Sequence, residues 1–212
     1  GIWTHSMEQT LKRSTELHGA ILKVLEDAVH DDSERVSACL TMSDITLEHA
    51  FSLRALFEVG AFTSGASLLR VQFESLTRAM WLFYAAHDNH LSKLTAPLSL
   101  ETEHSAGNIP SLTKMIESIS KKAPPLAGQM LTEFKENTWK AMNSFVHSGI
   151  HPMNRASEGY PLHLLIQLIQ MSNALSTMVA MTMAVTTYDS QYANQMKSLQ
   201  VRFKDCLPPL IR

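Results

Sequence analysis

Apolar residues recur three and four positions apart along most of this chain. In the first stretch Leu11, Leu17, Ala20, Ile21, Val24, Leu25, Ala28 and Val29 fall on one helical face. His30-Asp31-Asp32-Ser33 breaks that helix and supplies an N-cap for a short one carrying Val36, Cys39 and Leu40. Ser43-Asp44 is read as the cap of the next, which holds Leu47, Ala50, Phe51, Ala55 and Phe57. Gly60 and Gly65 bracket a tight connection, and a long helix rich in Leu, Phe and Met follows over 65–87. Pro97, Gly107, Pro110 and Pro124-Pro125 break the segment 89–125 into short pieces. A helix over 126–147 stops at Ser148-Gly149 with Pro152 beyond, a loop spans 151–159, and Pro161 opens the last long helix. No stretch alternates with period two long enough to argue for a strand. The pattern predicts an all-α fold: a bundle of about five long helices plus short helical pieces in the Pro/Gly-broken middle.

The last long stretch, 162–188, has no Asp, Glu, Lys or Arg. Its length suits a bilayer of about 30 Å. It carries His163, Gln167, Gln170, Asn173 and several threonines, however, and each amide in hydrocarbon needs a partner. His163, Gln167, Gln170 and Thr177 recur at helical spacing. That stripe favours a central helix buried in a bundle, with its polar side turned inward, over a membrane span or a dimer-interface helix.

Composition narrows the class. A chain of 212 residues that is 45% hydrophobic suits a single helical domain, placed at 7–212, with 1–6 as a tag remnant or disordered N-terminus. A formal charge of −2 offers no general attraction to nucleic acid or anionic lipid, so a basic site has to be local. Cys39 and Cys206 lie far apart and read as buried thiols of a reducing compartment, and no secretory signal is evident at the start. A cytoplasmic protein is expected. Phosphate-binding glycine loops, nucleophile elbows, dinucleotide fingerprints and zinc spacings are missing from the sequence, so no metal and no cofactor is expected.

Three groups are candidates for chemistry. Arg70, Glu74 and Arg78 stand at spacings of four on the long helix, with Trp81 close by, and form a charged ridge among apolar neighbours. Buried charges cost several kcal/mol unless paired, so the ridge is either a narrow solvent face or a paired network between helices. Asn143 and His147 share a face at a helix C-terminus, and His151 follows on the turn. Imidazole titrates near neutral pH, which suits acid–base work or anion contact; no carboxylate stands at metal-ligand spacing from either histidine. His49, Arg54 and Glu58 form the third group, read as structural, with Arg54 and Glu58 as an i,i+4 pair.

Gly60-Ala61-Phe62-Thr63-Ser64-Gly65-Ala66, Leu69-Arg70-Val71-Gln72-Phe73-Glu74-Ser75-Leu76 and Arg78-Ala79-Met80-Trp81 resemble a family of uncharacterised bacterial proteins. The likeness continues at Phe134-Lys135 through Trp139-Lys140, at Asn143-Ser144-Phe145-Val146-His147-Ser148-Gly149, at Gly159-Tyr160-Pro161 and at Asp205-Cys206-Leu207-Pro208-Pro209, over roughly 45–209. That resemblance implies kinship without an activity. A looser likeness is to HEPN-type helical bundles, many of them dimeric RNA-cleaving toxins or defence proteins. Their hallmark is an Arg followed four to six residues later by His on one helix. Here the nearest cation before His147 is Lys140, seven residues back.

The expectation is therefore a bacterial binding module, in which the Arg70/Glu74 ridge faces the His147 turn. Arg70 and His147 are its central pair, and Glu74, Arg78, Asn143, His151 and Gln167 its binding residues. The ligand is a polar molecule or a protein partner, and the chain forms a homodimer. The alternative is a HEPN-like metal-independent ribonuclease acting on RNA. There His147 is the acid–base group and an arginine steadies phosphate charge.

Overall fold

A computed structural model describes residues 2–209, with side chains from Ser6 onward. Ten α-helices follow in order: α1 (Ile2–Leu25), α2 (Glu34–Glu58), α3 (Phe62–Tyr84), α4 (Asp88–Thr95), α5 (Leu100–Ala106), α6 (Leu112–Lys122), α7 (Pro125–Val146), α8 (Ile150–Glu158), α9 (Leu162–Val185) and α10 (Ser190–Arg202). A 3-10 turn at Lys204–Cys206 comes last, and no strand occurs among the described residues. Five of these helices, α1, α2, α3, α7 and α9, run for 22 to 25 residues, which meets the expected five long helices. The expectation for 1–6 falls on positions of which only Ser6 has a described side chain; the backbone of α1 is helical from Ile2.

Helix boundaries depart from the sequence reading where local signals compete with packing. Ser33 does cap α2, accepting from the Val36 N–H at 3.2 Å. Ser43-Asp44 does not start a new helix. The Ser43 hydroxyl donates to the Cys39 carbonyl one turn back, so it is satisfied inside an unbroken α2. Gly60, at φ +81, makes the turn into α3, whereas Gly65 lies within α3 against the Phe57 ring, where a Cβ would stand 2.5 Å away. The expected loop 151–159 is mostly α8, with Pro152 in its first turn, where a missing N–H costs no helical bond. Asp189 caps α10 through the Gln191 N–H.

The core lies where α3 and α9 cross the middle of the bundle. Leu69, Phe73, Leu76, Leu53, Phe57, Leu165, Ile169 and Val179 are all fully buried there, with α2, α6 and α7 around them. A smaller cluster joins α1, the end of α9 and α10 through Leu17, Ile21, Ala184, Met196 and Phe203. Several polar groups inside pair across helices, while Thr77 Oγ1 is buried without a hydrogen-bond partner. Gln72 of α3 donates to the Ser172 carbonyl and accepts from its hydroxyl at 2.9 and 2.7 Å, and Thr46 of α2 donates to Ser75 of α3 at 2.8 Å. Asn173 of α9 donates to Ser14 of α1 and to the Cys206 carbonyl.

By length and composition α9 could cross a membrane, but most of it is buried by its own neighbours. The inward polar stripe needs correction in its first half, whereas Thr177 is buried and Gln170 half-buried. His163 and Gln167 are exposed, and the buried polar residues are Ser172, Asn173, Ser176, Thr177 and Thr182. Near its start α9 turns Leu165, Leu168 and Ile169 inward, and these outweigh two polar side chains in choosing the buried face.

Candidate functional site

The ridge and the histidine turn meet. Arg70 and Glu74 lie one turn apart on α3; Arg70 Nε donates to Glu74 Oε1 at 3.1 Å, and Nη2 stands 3.0 Å from the same oxygen as an ion pair. Their side chains are 21% and 35% exposed, so the pair sits more inside than outside. Arg70 Nη1 then reaches across to α7 and donates to His147 Nε2 at 3.1 Å. A guanidinium is donor-only, so Nε2 offers its lone pair and the imidazole proton resides on Nδ1. The guanidinium also lies over the Trp139 ring, 5.3 Å from its centroid. Arg70 is thus fixed on three sides, and two of its five N–H groups, one on Nε and one on Nη1, are committed to hydrogen bonds.

The turn that presents His147 is tightly built. The His147 N–H ends α7 by donating to the Asn143 carbonyl, while Asn143 Oδ1 is buried without a hydrogen-bond partner. Ser148 adopts φ +54, and the Gly149 N–H donates to the Ser144 carbonyl at 2.7 Å. A Cβ on Gly149 would come within 2.6 Å of Ser144 Oγ, which in turn accepts from the His151 N–H. The His151 ring rests near Phe145 at 6.1 Å, Phe145 stacks on Tyr160, and the Tyr160 hydroxyl bonds Thr63 at the start of α3. Ser67 of α3 donates to the Phe145 carbonyl at 3.2 Å. Aromatic packing and two hydroxyl bonds therefore hold the turn against α3 and keep His147 in reach of Arg70.

Trp139 also borders an open groove of about 460 Å³ between α6 and α7, lined with Thr113, Ile116, Glu117, Thr132, Lys135, Glu136 and Lys140. Lys135 donates to Thr113 at 2.5 Å and lies 5.6 Å from the Trp139 ring centroid.

Residues 43–209 match the model of a family of unknown function (DUF6988). The chain belongs to this family. No curated protein and no solved structure matches it. In this family member the matched span contains both halves of the clasp, Arg70 with Glu74 and Trp139 with His147, and leaves α1 outside.

Among the sequence candidates the structure unites Arg70, Glu74, Asn143 and His147, with His151 on the adjoining turn. Arg78 lies on the same helix but makes no ion pair or hydrogen bond. Gln167 is exposed on α9, and none of the clasp's hydrogen bonds reaches it. Arg54 does not bond Glu58 as expected. It is buried and donates to His18 Nδ1 of α1 at 2.9 Å, with Phe51 beside it. Burial lowers the Arg54 guanidinium to about 10, and burial followed by Arg54 lowers the His18 imidazole to about 4. Trp139, Lys135, Ser67 and Tyr160 were missed as site residues. Three of them carried a signal, since Lys135, Trp139 and Tyr160 lie in the segments that resemble the family.

Proposed function

We propose that this family member is a binding module for a polar ligand with a carboxylate or phosphate group, seated on the Arg70–His147 clasp. The observation that carries the reading is the hydrogen bond from Arg70 Nη1 to His147 Nε2. It holds the imidazole with Nδ1–H as a free donor, beside guanidinium N–H groups that make no hydrogen bond. Charged and polar donors gathered in one place, fixed before a ligand arrives, suit an oxyanion. The same bond argues against acid–base catalysis, because the lone pair that a general base needs is already occupied. A homodimer and a protein partner belong to the same proposal, and light scattering reads the first of them directly.

The test is titration with inorganic phosphate and with citrate, followed by the His147 ring resonances and by thermal denaturation. Saturable shifts in the wild type, lost in Arg70→Met, support the reading. The absence of any shift at millimolar anion overturns it.

The nuclease alternative rests on one favourable feature, an arginine within 3.1 Å of a histidine at an exposed helix end. It requires chelator-resistant cleavage of total RNA that disappears in His147→Ala. Such cleavage would displace the binding reading.

A further inference from the structure

The groove between α6 and α7 lies on the Lys135 side of Trp139 and has chemistry of its own. Ser120 of α6 lies against Gly128 of α7, where a Cβ would meet the Ser120 backbone at 2.7 Å, and Lys135 bonds Thr113. Both contacts fix one antiparallel register, which sets Glu117 level with Leu131 and Thr132. Lys135 and Lys140 then lie about 6 and 13 Å further along α7 at 1.5 Å per residue. Thr132, Lys135, Glu136, Trp139 and Lys140 follow helical spacing on one face, opposite Thr113, Ile116 and Glu117.

These charges form no direct ion pair with one another. Glu117, Glu136 and Lys140 make no ion pair or hydrogen bond, and Lys135 has only the Thr113 hydroxyl and the Trp139 ring. An acidic end at Glu117 faces a basic end at Lys135 and Lys140, across an apolar floor of Ile116 and Trp139. Glu136, one turn before Lys140, sets negative charge beside the lysines and opposes a polyanion.

We propose that this groove binds a short extended peptide, with its ammonium at Glu117 and its carboxylate at Lys135 and Lys140. Three residues of extended chain span about 10 Å, which matches the separation of the two ends. A middle apolar side chain rests on Ile116 and Trp139. The seat shares Trp139 with the oxyanion clasp but does not need the clasp occupied.

The probe is the tripeptide Gly-Leu-Gly, read by the Trp139 indole N–H resonance, which Trp139→Phe assigns. Free tripeptide should give a saturable shift at millimolar concentration. N-acetylation or C-amidation of the peptide should each weaken binding at least tenfold. Glu117→Gln should abolish the discrimination between the free and the acetylated peptide, and Lys135→Met with Lys140→Gln that between the free and the amidated one. Circular dichroism checks that these surface variants keep the fold. His147→Ala, which removes a clasp residue that does not touch Trp139, should leave tripeptide binding intact, so failure of the clasp and failure of the groove are told apart. Equal binding of the capped peptides, tighter binding of tripolyphosphate, or an unmoved indole signal would each overturn the proposal.

Discussion

Replacing His18 by asparagine should remove a defined part of the protein's sensitivity to mild acid. His18 Nδ1 accepts from buried Arg54, and burial, then that guanidinium, hold the imidazole down at about 4. The unfolded chain has it at about 6.5. A depressed histidine means that the folded state prefers the neutral ring. Its contribution is therefore complete above about pH 6.5 and is lost as the pH falls toward 4. The whole effect is about 3 kcal/mol, of which about 2 kcal/mol is gone by pH 5. Asparagine can place Oδ1 near the position of the imidazole Nδ1 and still accept from Arg54, but it has no proton to take up. Urea unfolding of both proteins at pH 7.5 and 5.0 isolates the term. His30 and His49, which burial lowers, and Asp44, which burial raises, titrate in both proteins and cancel in the difference. The wild type should lose about 2 kcal/mol more than His18→Asn between the two pH values. Equal losses would refute the reasoning.

Glu74→Ala should cost about 1–2 kcal/mol by urea unfolding, because it strips a mostly buried Arg70 of its only carboxylate; an effect below about 0.3 kcal/mol would mark the pair as solvated. Arg54→Met should be neutral or stabilising at pH 7.5, since it removes a buried cation that has no carboxylate bonded to it; a loss above about 3 kcal/mol would mean the guanidinium holds α1 and α2 together. Gly128→Ala should destabilise by about 1–3 kcal/mol, because the new methyl meets the Ser120 backbone and pushes α6 from α7, and a melting temperature equal to wild type would contradict that packing.

Much of the architecture was legible because helical periodicity is a local property. Apolar residues at three-four spacing, Ser33 before α2 and the Pro124-Pro125 start of α7 announce their elements without reference to the rest of the chain. The misreadings came where a local signal has two solutions. Ser43 can cap a helix or bond back within one, and only the unbroken burial of Cys39, Ser43, Thr46 and Leu47 along α2 selects the second. The polar stripe on α9 was assigned inward along its whole length, yet Thr177 is buried while His163 and Gln167 are exposed, because periodicity finds a face and says nothing of what covers it.

The candidate site divides in the same way. The sequence by itself determined that Arg70 and Glu74 pair, since four residues on a helix leave them one turn apart, and that His147 stands at a helix end next to Asn143. Only the tertiary structure decided that Arg70 bonds His147, 77 positions away, over Trp139, and that Arg78 takes no part. It likewise took Arg54 from Glu58 and gave it to His18, 36 positions distant. Spacing along one helix is set by backbone geometry and travels with the sequence. Partnership between helices depends on how two faces settle into a shared core, and that is fixed by the burial of residues far from either partner.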